Sequence, residues 1–517
     1  MGNRTIGLIS GFLITLVMLT ASCSAQTTAL SSPGQTPAVS SNSGSAPTPT
    51  TTSMEGAQTA SDANKTQETG TPAGAPPFGT PPSGTPPNGT PPGGAPPSGE
   101  QGGGPGAGAP PGNSGSSAAV TGTAVYSQSG GEVSKSNQSI TASEQNQSAV
   151  IITNSGTYNL TDSSISTTGD TTSMDSSSFY GLNAAVLAES GSQITLSKVI
   201  VKTTGSGGNG VFATGTGSTV NLSDVTINCT NTGAHGVDAT NGGTLNLTNV
   251  DITTAGNGAS AAIATDRGSG TINVTGGTVT TSGTKSPAIY STGKITVSGA
   301  VMKATGSEAV AIEGKNTVTL KDTTLSGVAN WGVIIYQSMS GDSEVGTGNF
   351  IMNGGSLIAE SGPLFYTTNT QAVINLKGTD LVNPSGVLLK AAAGDWGASG
   401  SNGATVTFTA DSENLNGSII CDKISSVSFI LKNGTAYQGA LNAEHTAKSM
   451  VLNLDDSSVW EVTDNSYLSA LTDTDTALSN IHSNGHTVYY DASNNANSWL
   501  NGQTYDLTDG GQLTPAS

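Results

Sequence analysis

Residues 209–258 read NGVFATGTGSTVNLSDVTINCTNTG and then AHGVDATNGGTLNLTNVDITTAGNG. The second half repeats the first. Val211, Ala213 and Thr214 recur as Val237, Ala239 and Thr240, Asn221-Leu222 as Asn246-Leu247, and Val225-Thr226-Ile227 as Val250-Asp251-Ile252. A period of about 25 residues, built from short alternating strands and Gly/Asn turns, is the mark of a stacked solenoid.

Working outward, the pairs Leu187-Ala188, Phe212-Ala213, Asp238-Ala239, Ile263-Ala264, Ile289-Tyr290, Ile312-Glu313, Ile335-Tyr336, Phe365-Tyr366 and Leu389-Lys390 align as one column. A second column carries Val220, Leu245, Ile272, Ile295, Val318, Ile374 and Val406, each the first member of an apolar–polar–apolar triplet. Such triplets are strands with one face buried. Three strands per coil predict an all-β fold, a right-handed parallel β-helix of roughly 12 coils over residues 119–457. Residues 458–517 break the period and read as hairpin strands forming a C-terminal β cap. The longest insertions, Asp170–Tyr180, Gln337–Thr347 and Gly394–Gly403, are loops on this scaffold, where binding usually sits.

The chain has 517 residues, of which only 10% are charged, and 35 acidic against 16 basic side chains give a net charge of −19. That excess repels a phosphate backbone and argues against nucleic-acid binding. Cys229 and Cys421 lie about eight coils apart, roughly 35–40 Å at the inter-strand spacing, so no disulfide joins them and both read as small core residues.

Residues 1–22 read as an export signal: Arg4, then the mainly apolar run Ile6–Leu19, then Thr20-Ala21-Ser22. The small residues before Cys23 resemble the lipobox of bacterial lipoproteins, with Leu19 one position further upstream than usual. That resemblance implies lipidation of Cys23, anchoring to the cell membrane and display at the cell surface. Residues 23–118 are Ser/Thr-rich and then Pro/Gly-rich (GAPPFGTPPSGTPPNGTPPGGAPPSG), without apolar periodicity, and read as a disordered spacer.

The repeats resemble the pectin-lyase-like β-helix surface proteins of gut anaerobes. Trp460, Val462, Ser466, Leu468, Leu471 and Val488 look like the C-terminal end of autotransporter adhesin passenger domains. The expectation is that no translocator barrel follows and that lipidated Cys23 takes its place. The resemblance also implies that polysaccharide lyases and hydrolases must be weighed, because the superfold includes both. A lyase needs a basic residue beside calcium-holding carboxylates, and a hydrolase needs two carboxylates at a set separation. Asp266, Arg267, Glu313 and Lys315 are the alternative catalytic set, although no acidic column recurs in adjacent coils. His235, His445, His482 and His486 are scattered, and a turn separates the last two, so no metal or cofactor is expected.

The first column changes character along the chain, from alanine to Tyr290, Glu313, Tyr336, Tyr366 and Lys390. One rung per ~4.8 Å approximates the rise of a sugar in an extended glycan. With Trp331 and Trp396 as a rim, these residues form the candidate glycan-binding ribbon. The competing reading packs the same side chains beneath the long loops. A Thr/Asn ladder resembling an ice-binding face is interrupted at Lys294 and is better explained by hydrogen bonding between rungs. The function expected is a non-catalytic, lipid-anchored, adhesin-like protein with a carbohydrate or another surface as partner. The alternatives are a polysaccharide lyase or glycoside hydrolase, and a structural stalk.

Overall fold

The computed structural model describes residues 120–516. The export signal, Cys23 and the spacer to residue 118 lie outside the described residues. From Thr123 onward the chain winds as a parallel β-solenoid of about 16 turns. One sheet of 12 strands runs from Thr123–Ser129 to Ser418–Cys421, and a sheet of 20 strands carries further strand positions of the turns. Val220 pairs with Leu245, Leu245 with Ile272, Ile272 with Ile295 and Ile295 with Val318, all in parallel register. These five side chains are fully buried and share one core. Alternation puts every second side chain into the bore, and each turn covers the apolar face that its neighbour cannot cover alone.

From Phe350 onward the filling becomes aromatic. Phe350, Phe365, Phe408, Phe429 and Tyr437 follow one another at centroid separations of 5.5, 5.5, 5.3 and 5.0 Å, mostly edge to face. Trp460 continues the series, and its indole N–H donates to the Gly439 carbonyl at 2.9 Å. A buried indole needs such a partner, and the solenoid corner supplies it.

One corner bends by a left-handed residue in each of 12 successive turns: Asn137, Asp162, Lys198, Asp224, Asn249, Gly276, Gly299, Asp322, Gly354, Gly378, Ser412 and Asn433. Asn, Asp and Gly tolerate that conformation best, which accounts for the polar punctuation inside an otherwise apolar pattern. On the outer face, Asn273 donates to Asn246 and Asn246 to Asn221, each at 2.9 Å. Asn221, Asn246 and Asn273 are therefore joined rung to rung.

Parallel pairing runs on into the segment expected to be a hairpin cap. Val459–Val462 pairs with Ala436–Gly439, and Ser466–Leu468 pairs with Thr487–Tyr490, which in turn pairs with Gln512–Pro515. Among the described residues the antiparallel pairing is that of Tyr505–Asp506 with Gln512–Leu513. These extra turns raise the count from roughly 12 to about 16. The short helix Asn495–Leu500 covers this end, with Leu500 buried and the Trp499 indole donating to the Leu471 carbonyl at 3.0 Å. Cys229 and Cys421 are free and buried.

Candidate functional site

The candidate ribbon lies on the 12-stranded sheet. Its strands Val211–Thr214, Val237–Thr240, Val310–Glu313, Val333–Tyr336 and Phe365–Thr368 are buried at every position. Alternate residues fill the bore, and the others form separate clusters on the opposite face. A sheet covered on both faces carries no polar-out signal, and this shifts the register from the one expected. The outer column is Leu187, Phe212, Asp238, Ala264, Tyr290, Ala311, Ile334, Tyr366 and Lys390. Glu313 and Tyr336 pair with each other two positions further along their strands.

Three insertions contribute to the cover, and Gly394–Gly403 does so by bringing Trp396 onto Tyr336. The first contains the helix Met174–Tyr180, capped by Ser173, whose hydroxyl accepts from the Ser176 N–H, and ended by left-handed Gly181. The Phe179 carbonyl of this helix accepts from the Thr240 hydroxyl at 2.9 Å and the Asn241 amide at 3.2 Å. The second is the loop after Tyr336. Its Ser338 hydroxyl donates to the Glu313 carboxylate, which also accepts from the Tyr290 hydroxyl at 2.9 Å. Ser343 donates to the Glu313 carbonyl at 2.7 Å.

Arg267 ties the first two insertions together. Its guanidinium lies 3.8 Å from the Phe179 ring centroid and donates to the Asp342 carboxylate at 2.9 Å. Asp342 is 4% exposed and Arg267 36%. Arg267→Ala is expected to cost about 2–4 kcal/mol, because Asp342 would be left buried without its cation and Phe179 without its partner. Hydrogen exchange should show faster opening confined to residues 170–183 and 337–347. Unchanged protection there would count against the clasp.

Beneath this cover carboxylates gather. Asp238 and Asp266 are both buried, and their carboxyls stand well above the usual range, first because burial disfavours charge. The nearby Asp266 adds to this for Asp238, and Asp342 does so for Asp266. Burial also raises Glu313, although Ser338 and Tyr290 donate to it. Tyr290 and Tyr336 are pushed up by burial and by the Glu313 charge. Burial lowers His235 to about 4, against a hydrogen bond from its ring to the Ala261 carbonyl.

The sequence-derived residues therefore divide. Asp266, Arg267, Glu313, Tyr290 and Tyr336 come together under the cover, while Lys315 is exposed and stands 3.9 Å from Glu344. Tyr366 is nearly buried and Lys390 exposed, with its ammonium 5.6 Å from the Tyr366 ring centroid. Trp331 lies on Tyr366 at 4.9 Å and Trp396 on Tyr336 at 4.6 Å, both half-buried. His235, Asp342 and Phe179 were not expected to join this cluster. Asp238 carried a legible signal, a carboxylate at a strand position where the neighbouring turns hold Phe212 and Ala264.

The fold and this covered face define a parallel β-solenoid protein. No family model matches the chain, and no curated protein or solved structure matches it.

Proposed function

We propose that this is an exported, non-catalytic, adhesin-like solenoid, held at the cell surface through Cys23, that contacts carbohydrate at the open end of the ribbon. The observation that carries the reading is the pair of half-buried indoles. Trp331 and Trp396 each pack against a buried tyrosine and keep part of their surface in solvent. A ring fixed in this way meets a sugar face with little loss of side-chain freedom. The exposed Lys390 and Asp395 beside them supply hydrogen-bonding charge. Tyr290, Glu313 and Tyr336, at most 1% exposed, serve in this reading as the rigid floor.

The test is a glycan array probed with the purified chain carrying Cys23→Ser, which removes the lipid. Binding is expected, and Trp331→Ala or Trp396→Ala should weaken it roughly tenfold, the equivalent of about 1.4 kcal/mol of ring stacking. Absence of binding to every glycan would leave the stalk reading. Release of oligosaccharide fragments, lost in Arg267→Ala, would move the assignment to an enzyme.

A further inference from the structure

We propose that His235, Asp238 and Asp266 form a binding site for one divalent transition-metal cation, of which Zn2+ is the probe. The three side chains come from two adjacent turns and are all buried, and their ligand atoms lie within 4.8 Å of one another. Ligands that each sit about 2.1 Å from an ion stand about 3–4 Å apart, so small rotations bring the three atoms onto one centre. Both oxygens of Asp238 are buried without a hydrogen-bond partner. A carboxylate in that state is costly unless something positive meets it. His235 donates through Nδ1 to the Ala261 carbonyl at 3.2 Å, which leaves the Nε2 lone pair available. This is the way a metal-binding imidazole is usually held. The rung next to Asp238 carries only Ala264, whose methyl is far smaller than the Phe212 or Tyr290 side chains of neighbouring rungs.

The charge balance points the same way. Asp238, Asp266, Glu313 and Asp342 are all buried, and among the described residues the cation paired with this group is Arg267, through Asp342. One imidazole with two carboxylates suits zinc and its neighbours, whereas calcium requires six to eight oxygens.

The experiment measures metal content of the full chain as purified without chelator. It repeats the measurement after denaturation with EDTA and refolding with ZnCl2, with CaCl2 or with neither, followed by gel filtration. About one Zn2+ per chain is expected, with a raised melting temperature relative to the metal-free refold and no retained calcium. Asp238→Asn and His235→Gln should each lose the bound zinc, while His482→Ala should keep it. That control is needed because His482 lies 2.7 Å from Glu461 on the surface. Asp238→Asn replaces a buried carboxyl by a neutral amide of nearly the same size, so it should fold about as well as the metal-free parent. Folded wild-type protein that holds no zinc in either preparation would overturn the site, and the carboxylates would then be sharing protons. Zinc retained by a folded Asp238→Asn or His235→Gln, or calcium bound in its place, would overturn the ligand set.

Discussion

Gly283→Ala is expected to destabilise the solenoid by more than about 4 kcal/mol, the range reserved for a specific structural failure. A Cβ at Gly283 would stand 1.8 Å from the Gly256 carbonyl oxygen, and one at Gly256 2.0 Å from the Asn231 oxygen. Gly205 and Gly169 make the same approach further up the chain, at 1.9 and 2.0 Å. The obstacle is backbone, which cannot rotate away as a side chain would, so the turn must lift off its neighbour and lose pairing on both sides. Gly299→Ala is the control. Gly299 has φ +67 but nothing within 4 Å of its Cβ position. Its register equivalents include Lys198 and Asp322, so about 1 kcal/mol is the expected cost. Thermal unfolding followed by circular dichroism separates the two. Equal shifts for both variants would show that the close corner relaxes more freely than the geometry implies.

Phe408→Ala is expected to cost about 3–5 kcal/mol. Phe408 is fully buried between Phe365 and Phe429, at 5.5 and 5.3 Å, so its loss opens a void and breaks two ring contacts. Stability in a solenoid is a sum over neighbouring turns. The turns after Phe350 should therefore lose hydrogen-exchange protection first, while those around Val220 and Leu245 hold. Uniform loss across all turns would argue for a single cooperative unit.

The bore was legible because its rule is local. An apolar–polar–apolar triplet such as Val220-Asn221-Leu222 reports one buried face wherever it stands, and repetition places the triplets on one another. The outer column of the 12-stranded sheet was not legible in the same way. Asp238 aligns with Ala264, not with Ile263, because with both faces buried the sequence offers no contrast to set the register. The turns past residue 457 were missed for a related reason. Their spacing is irregular, and aromatic fillers such as Trp460 replace the Val/Ile/Leu pattern that marks earlier turns.

The chain alone thus determined that it stacks in parallel turns and which residues line the bore. Only the tertiary structure decided what lies over Tyr290, Glu313 and Tyr336. Two insertions separated by more than 150 residues fold onto the same face, and Arg267 clasps Phe179 to Asp342. It also brought His235 and Asp238 within reach of Asp266. The physical reason is range: strand periodicity is written into a few adjacent residues, whereas a cover and a buried carboxylate cluster exist only once distant turns are stacked in register.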